Sequence, residues 1–258
     1  MSQLVVFVCN RAYWHAFNNT LNMLRKQGEY KGKVLCIHGN DLMRDGIFPR
    51  PNVEFKYFPD LNTQFIIEQH QQCPFVFKTC DGRENRKPFQ WHKLYIFHRW
   101  VREYCVTHGI RNVLYIDSGS HIFAPIAPFW DLDCAGKLLA VNDSLSHGPL
   151  TVQFDQKSRP DVYEELNTRF KLEQDYFLNS LFLFDSALIK DDTFDKLCEL
   201  MNRYPIARCN EMSIMNLYFV CMCNVWQPLP TTHTRELYQF SPRPNKTQND
   251  YIILKYLT

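Results

Sequence analysis

The sequence lacks any apolar run long enough to cross a membrane. Such a helix needs about 18 or more consecutive apolar residues, and the first apolar run, residues 4–9, is far shorter. No basic segment precedes this run, as one would in a secretion signal. Charge of one sign is also scarce, because 29 lysines and arginines face 27 acidic residues and leave a formal charge of +2. We therefore expect no integral membrane segment and no nucleic-acid partner.

Two familiar nucleotide-binding signatures are absent, and the cysteines do not suggest disulfides. No GxGxxG follows the first apolar run, and no GxxxxGK occurs in the chain, so neither a dinucleotide-binding Rossmann motif nor a P-loop is indicated. The 10 cysteines lie mostly inside apolar runs, as in Phe7-Val8-Cys9. Buried thiols behave as small apolar side chains, and a chain of this length needs no disulfides to hold its core. We expect a soluble, cytoplasmic protein.

What the chain does contain is short, continuous apolar runs separated by helical patterns. The runs have strand length, and their lack of polar alternation indicates burial on both faces, as in a parallel sheet covered by helices. Predicted strands cover 4–9, 33–37, 53–58, 112–117, 137–141 and 181–184. Predicted helices cover 13–27, 89–107 and 211–220. A further helix is predicted within 60–88, and another begins at residue 192. The tail from 228 is predicted as a long loop. With no linker or repeat, we expect one domain over residues 1–258, with a nucleotide-binding half at 1–120 and a more variable half at 121–258.

Asp117 is the most informative single residue. In an open parallel sheet, ligands bind beyond the carboxyl ends of the strands, and Asp117 closes the predicted strand at 112–117. A carboxylate there, followed by small residues, suits a hard divalent cation and its phosphates. The same spacing also suits a carboxylate that only caps a loop, and the local sequence does not choose between the two.

Four segments occur in an order that characterises a known class of enzymes. They are KPFQWHKLY at 87–95, VLYIDSG at 113–119, DYFLNS at 175–180 and NEMSIMN at 210–216. Over residues 3–230, the chain resembles the nucleotide-sugar-dependent glycosyltransferases of the GT-A fold, and in particular their glycogenin-like branch. The resemblance implies an α/β, Rossmann-like single domain with a mostly parallel central sheet flanked by helices. It also implies transfer of a sugar from a nucleotide diphosphate, with a UDP-sugar as the expected donor, to a hydroxyl of a glycan or protein acceptor.

The resemblance assigns roles by position, and it implies that residues 121–258 form the half for the acceptor and donor sugar. The residues that would contact the nucleotide-sugar donor, from base and ribose through diphosphate to sugar, are Cys9, Asn10, Arg11, Tyr13, Lys93, Ser118, Gly119, Asn179, Ser180 and Lys246. The residues that would bind the metal are Asp117, as the first carboxylate of a DxD motif, and His233, as a late metal ligand. Glu211 would line the side of the donor sugar and the acceptor.

The chain departs from the family pattern at two of these positions. Gly119 stands where the family has the second aspartate of DxD, and a single carboxylate holds Mn²⁺ or Mg²⁺ less firmly than two. Three outcomes stay open: weak metal binding helped by His121 or His233, metal-independent transfer with Lys93 and basic loop residues on the phosphates, or an inactive relative. The expected cofactor is therefore a divalent cation that is held weakly or is dispensable. Met212 replaces the glutamine of the later motif, which weakens the assignment of Glu211.

The chemistry of sugar transfer adds a further set of candidates. The departing diphosphate gains negative charge, which cations and amide groups must stabilise. An enzyme that inverts the anomeric configuration also needs a general base for the acceptor hydroxyl, and the candidates are Asp143, Asp175 and Glu211. An enzyme that retains the configuration can omit that base, so the stereochemical course stays open.

Two other functions compete with sugar transfer. Gly119 and Met212 fit a non-catalytic binder of nucleotide sugars with the same fold. Alternatively, Asp117 could be the nucleophile of a phosphatase that resembles the haloacid dehalogenases, with Asp191-Asp192 as a late acidic pair. That class needs a second aspartate two residues after the nucleophile and usually carries this motif near the N-terminus. Gly119 and the central position of Asp117 therefore count against the phosphatase.

Overall fold

The computed structural model describes residues 2–39, 50–63, 88–230 and 235–256, together with Leu42 and Glu68. Most of the predicted helical region at 60–88 and the predicted metal ligand His233 lie outside these residues. The strands, in chain order, are β1 Ser2–Cys9, β2 Lys33–His38, β3 Val53–Tyr57, β4 Ile110–Ile116, β5 Ser120–Ile122, β6 Leu138–Asn142, β7 Phe177–Asp185, β8 Trp226–Pro228, β9 Glu236–Phe240 and β10 Tyr251–Lys255.

Seven strands form the central sheet, in the order β3-β2-β1-β4-β7-β6-β8. Neighbouring pairs are parallel except for the two that involve β7, which runs antiparallel to β4 and to β6. The mostly parallel sheet predicted from the sequence is thereby confirmed. Because β7 runs opposite to its neighbours, β1, β2, β4 and β6 end at the edge where β7 begins. We call this edge of the sheet the carboxyl edge.

The central sheet is covered on both faces, as the continuous apolar runs predict. In β1, Leu4, Val6 and Val8 belong to one hydrophobic cluster, and the residues between them belong to a second. Successive side chains of a strand point to opposite faces of the sheet. The two clusters are therefore the two layers of core on either side of β1, and burial on both faces explains why the strand has no polar alternation.

The helices that cover the sheet are α1 Trp14–Lys26, α2 Arg99–Thr107, α3 Ala127–Trp130, α4 Ser144–His147, α5 Pro160–Arg169, α6 Thr193–Arg203 and α7 Glu211–Asn216, with a π-helical turn, Leu217–Met222, directly after α7. In the described part of the chain, none of the helices has both the length and the apolar character required to span a bilayer. Each cysteine that the structure describes is a free thiol.

The single helix predicted at 89–107 is wrong, since the segment divides at His98. Residues Pro88–Phe97 form a 3₁₀ helix, and α2 begins only after it. His98 has an extended backbone, with ψ of 144°, and its Nδ1 accepts a hydrogen bond of 3.1 Å from the backbone N–H of Trp100. This side chain caps the first turn of α2, which makes a break favourable where the apolar spacing alone suggested continuity.

The long loop predicted from 228 onward is also wrong, because it contains β9 and β10. These strands join β5 in a second sheet of order β5-β10-β9. Residues 251–254 are an apolar run of strand length, and all of them are buried. The prolines that suggested a loop, Pro242 and Pro244, lie in the connection between the two strands.

Candidate active site

Four predicted site residues meet at the carboxyl edge because of how β4 pairs with β7. Ile116, the last residue of β4, lies opposite Leu181 of β7. The backbone N–H of Asp117 then donates a hydrogen bond of 2.9 Å to the carbonyl of Ser180. Antiparallel pairing thus brings the start of β7, with Asn179, beside the residue that closes β4. The first residue of α7 and the 3₁₀ helix Pro88–Phe97 add Glu211 and Lys93.

Lys93 is the centre of a buried polar cluster. Its Nζ lies 2.9 Å from Oε1 of Glu211, 3.3 Å from Oδ1 of Asp117 and 3.3 Å from Oδ1 of Asn179. The Nδ2 of Asn179 donates to Oε1 of Glu211 at 3.1 Å. An ammonium group has three N–H donors, so these acceptors engage all of them. We call Lys93, Asp117, Asn179 and Glu211 the Lys93 cluster.

Lys93 and Asp117 stay charged although burial opposes it. Lys93 is only 8% exposed and Glu211 only 3%. Burial disfavours the charged ammonium, but attraction by Asp117 and Glu211 outweighs it and raises the pKa of Lys93 above its ordinary value. Burial likewise opposes ionisation of Asp117, but Lys93 and then Lys255 hold the pKa of this carboxyl below its ordinary value. The second oxygen of Glu211, Oε2, is buried and has no hydrogen-bond partner among the described residues.

These shifts predict how the stability of the protein depends on pH. The lowered pKa of Asp117 means that its contribution is present above its unfolded pKa, about 4, and is lost as the pH falls further. The raised pKa of Lys93 means that its contribution is present below about pH 10 and is lost as the pH rises through the folded value. The difference in unfolding free energy between the wild type and Asp117→Asn should thus be flat from about pH 5 to 9 and shrink below about pH 4. Urea unfolding at a series of pH values measures it, and a difference that grows on acidification would contradict the assignment.

Lys255 is a site residue that the sequence analysis missed. Its Nζ donates a hydrogen bond of 2.5 Å to the carbonyl of Ser118 and lies 3.9 Å from Oδ2 of Asp117. The hydroxyl of Tyr115 donates to the other oxygen of the same carboxylate. One feature of the sequence could have indicated Lys255. The apolar run at 251–254 is followed directly by this lysine, a pattern typical of a buried strand that ends on a charged residue. Lys246, the late lysine predicted to contact phosphate, lies 2.5 Å from Glu236, and its contact with phosphate stays a prediction.

The turn after β4 joins Asp117 to the first strand and the first helix. Ser118 Oγ donates to the carbonyl of Val8 at 3.2 Å, and the N–H of Gly119 donates to Oγ1 of Thr20 at 3.0 Å. Gly119 has φ of +85°, a left-handed conformation that glycine adopts without steric cost. This turn therefore favours glycine over the second aspartate of a DxD motif.

The predicted nucleoside loop lies directly after β1. Asn10 caps the 3₁₀ turn Arg11–Tyr13, since its Oδ1 accepts a hydrogen bond of 3.1 Å from the backbone N–H of Tyr13. Arg11 is exposed and Tyr13 is half-buried, whereas Cys9 is buried. The structure thus places Arg11 and Tyr13 where their side chains reach the surface of the carboxyl edge. Binding of a base and ribose by this loop stays a prediction.

The other predicted carboxylates lie at the end of β6, along the same edge. Asp175 accepts hydrogen bonds from Asn142 Nδ2 at 2.9 Å and from Ser144 Oγ at 2.6 Å. Asp143 lies 3.9 Å from Nε2 of His147. Both oxygens of Asp175 are therefore engaged by the protein.

Ser180, predicted to line the donor sugar, has a partner from the second sheet. Its Oγ and the hydroxyl of Tyr238 share a hydrogen bond of 2.6 Å. Both residues are buried. The sequence analysis missed Tyr238, because it lies in the region predicted as a loop.

Among the described residues, the side chains around Asp117 do not form a donor set that suits a divalent cation. Within the described ranges, the side chains of His, Cys, Asp and Glu form no group of three or more that could hold a metal ion. The two oxygens of Asp117 face the ammonium groups of Lys93 and Lys255, and Gly119 supplies no ligand. Burial, followed by the nearby Lys255, lowers the pKa of His121. The predicted ligand His233 lies outside the described residues, so its role stays a prediction.

No protein-family model matches the sequence, and neither does any curated protein. Solved structures do match. The chain is similar to the galactosyltransferase LgtC in complex with donor and acceptor sugar analogues, with a TM-score of 0.62 and 14% identity over 99% of this chain and 87% of that one. It is similar to the bifunctional glycosyltransferase WbbM, with a TM-score of 0.62 and 15% identity over 100% of this chain and 46% of that one. It is also similar to the core-mannan synthase Ktr4 from Aspergillus fumigatus in its Mn/GDP form, with a TM-score of 0.52 and 10% identity over 88% and 72%.

At these low identities, the likeness shows the fold. The α/β domain, with its seven-stranded, mostly parallel sheet between layers of core, has the GT-A fold of glycosyltransferases. This confirms the fold class expected from the sequence. The narrower resemblance to the glycogenin-like branch and the division into two functional halves stay predictions, as do the roles of the individual site residues.

Proposed function

We propose that the protein is a glycosyltransferase that moves a sugar from a nucleoside diphosphate donor to a hydroxyl of a glycan or protein acceptor. The GT-A fold supports this proposal, and so does a polar site at the edge of the sheet where open α/β folds bind ligands. The resemblance of the sequence motifs makes a UDP-sugar the donor to test first. A GDP-sugar comes second, since the Ktr4 structure is a GDP form. A cytoplasmic location, inferred from the buried free cysteines, is part of the same proposal.

The observation that carries the proposal is the contact between Asp117 and Lys93. The two residues come from different elements and lie 3.3 Å apart at the carboxyl edge. A phosphatase of the haloacid dehalogenase class would also place an aspartate at such an edge. Its late acidic pair, however, is engaged elsewhere, because Asp191 pairs with Arg102 and Asp192 pairs with Lys196 on α6.

The chemistry requires positive charge beside the departing diphosphate. When the bond between the anomeric carbon and the diphosphate oxygen breaks, its electron pair stays on the diphosphate. Preorganised cations lower the free energy of that charged state. Lys93 and Lys255 flank Asp117 and give this part of the edge two ammonium groups. A divalent cation, where one binds, supplies the same kind of charge.

Glu211 is the carboxylate best placed to act on the reacting groups. Oε1 of Glu211 is held by Lys93 and Asn179, while Oε2 has no partner among the described residues. A buried acceptor without a partner is costly, so a sugar hydroxyl that donates to Oε2 is favoured. Asp175, in contrast, has both oxygens engaged by the protein. We infer that Glu211 contacts the donor sugar or the acceptor hydroxyl.

Donor hydrolysis tests the proposal without knowledge of the acceptor. Incubation of the protein with a panel of UDP-sugars and GDP-sugars should show slow release of UDP or GDP for at least one donor. Asp117→Asn should lower that rate by about 100-fold or more, because it removes the charge that holds Lys93 and Lys255 in place.

The matched control is Asp191→Asn, which alters an exposed ion pair with Arg102 and should leave the rate unchanged. Thermal melting of both variants well above the assay temperature would show that folding is not the cause. Binding of UDP without any hydrolysis, with and without Mn²⁺, would point to a non-catalytic binder. Hydrolysis of an aryl phosphate that depends on Asp117, with no binding of UDP or GDP, would replace the proposal with a phosphatase.

A further inference from the structure

Strand pairing in the second sheet places Lys255 beside the turn that follows β4. In the antiparallel pair of β10 with β5, Lys255 lies opposite Ser120. From there, its Nζ reaches back to the carbonyl of Ser118 at 2.5 Å and to within 3.9 Å of Oδ2 of Asp117. The side chain is 16% exposed. The ammonium group thus lies at the candidate active site and is partly shielded from solvent.

The ammonium of Lys255 also lies beside the position where the family motif has its second carboxylate. A β-carbon at Gly119 would be 3.5 Å from Nζ of Lys255 and 3.6 Å from the β-carbon of Ala16 in α1. Ala16 belongs to the helix that follows the predicted nucleoside loop. Lys255 therefore lies where the turn after β4 approaches the first turns of α1, close to both Asp117 and that loop.

Ammonium groups already act as the cationic partners of Asp117. The carboxylate of Asp117 faces Lys93 on one oxygen and Lys255 on the other. A divalent cation at this carboxylate would have to displace one of these ammonium groups, whereas a diphosphate beside it would gain the attraction of Lys255. The side chain of Lys255 is 16% exposed and that of Lys93 is 10% exposed, so Lys255 is the better placed of the two to contact a phosphate.

We propose that Lys255 takes the place of the divalent cation in this protein, so that its ammonium binds the diphosphate of the donor and no metal is required. This inference rests on the proposed function. In the transfer step, the bond between the anomeric carbon and the diphosphate oxygen breaks, and its electron pair stays on the diphosphate. N–H groups of Lys255 stabilise the added charge by hydrogen bonds, without proton transfer. The acceptor oxygen forms the new bond to the anomeric carbon, and its proton passes to a carboxylate of the site, for which Glu211 is the candidate.

Calorimetric titration with UDP and with GDP tests the inference independently of catalysis. The wild type should bind one of these nucleotides with affinities in EDTA and in Mn²⁺ that agree within about threefold. Lys255→Met should weaken that binding by about tenfold or more in both buffers, as expected for the loss of a charged hydrogen bond. Lys255→Arg keeps the charge and should restore most of the affinity. Lys196→Met, which removes an exposed lysine paired with Asp192 on α6, is the matched control and should bind as the wild type does.

Each outcome separates this inference from the proposed function. Nucleotide binding that requires Mn²⁺ overturns the role of Lys255 and leaves sugar transfer standing. If Lys255→Met binds the nucleotide as tightly as the wild type does, the role of Lys255 is likewise overturned and sugar transfer is left standing. No binding of UDP or GDP in either buffer overturns both proposals. Thermal melting shows whether Lys255→Met folds. If it does not, the nucleotide affinities of the wild type and of Lys255→Arg in EDTA and in Mn²⁺ still test whether binding requires a metal.

Discussion

Replacing Glu211 with glutamine is expected to lower donor hydrolysis by about 100-fold or more, as loss of a catalytic carboxylate does in other enzymes. Glutamine keeps the shape of the side chain and an oxygen that can accept from Lys93 and Asn179, as Oε1 of Glu211 does. It removes the negative charge and the second carboxylate oxygen, which we propose receives a sugar hydroxyl. The loss should therefore appear in kcat, with the Kd for UDP or GDP changed by no more than about threefold.

The control for this variant is Asp175→Asn, just before β7 and beside the end of β6. Both oxygens of Asp175 already accept hydrogen bonds from Asn142 and Ser144, so we expect a much smaller effect on kcat. A Glu211→Gln enzyme with wild-type kcat would exclude the catalytic role of Glu211. A larger loss in Asp175→Asn than in Glu211→Gln would move the catalytic role to β6.

Replacing Lys93 with methionine is expected to lower the free energy of unfolding by about 3–5 kcal/mol, the range for removing one partner of a buried ion pair. The change leaves Glu211 buried without a cation and leaves Asp117 with Lys255 alone. Most of the cost is the uncompensated charge of Glu211, because it is the more deeply buried carboxylate. Urea unfolding at pH 7 measures the change from the shift of the midpoint.

Two further variants separate this cause from a general effect of removing a lysine. Lys93→Met combined with Glu211→Gln removes both charges and should recover part of the lost stability, since no buried charge is then left unpaired in that pair. Lys196→Met breaks the exposed pair with Asp192 and should not move the midpoint measurably. If the urea midpoint of Lys93→Met equals that of the wild type, the ion pairs of the Lys93 cluster do not contribute to the free energy of unfolding.

The helical spacing at 89–107 and the Pro-, Thr- and Asn-rich composition of the tail proved less reliable guides than the apolar strand runs. The spacing of Leu94, Phe97 and Val101 suited one continuous helix, but the side chain of His98 caps a new one. The hydrogen bond from the backbone N–H of Trp100 to His98 joins residues two apart in the chain, but the spacing of apolar residues does not predict it. The tail was predicted as a loop because Pro242 and Pro244 dominate its middle, although the buried run at 251–254 follows them.

Six of the seven strands of the central sheet, and the position of Asp117 at the end of one of them, were predictable from the amino-acid pattern alone. Continuous apolar runs are buried on both faces, and a carboxylate that directly follows such a run must lie at the end of a strand. Burial of apolar side chains is a property of each run, so it can be recognised without knowing what the run packs against.

Only the tertiary structure decided which charges surround Asp117. Lys255 is 137 residues from Ser118 in the chain, and it reaches that turn because β10 pairs with β5. Glu211 and Asn179 meet Lys93 because β7 runs antiparallel to β4 and because α7 begins beside it. Electrostatic interactions between side chains depend on distance in space and on burial, and neither quantity is written in the local sequence.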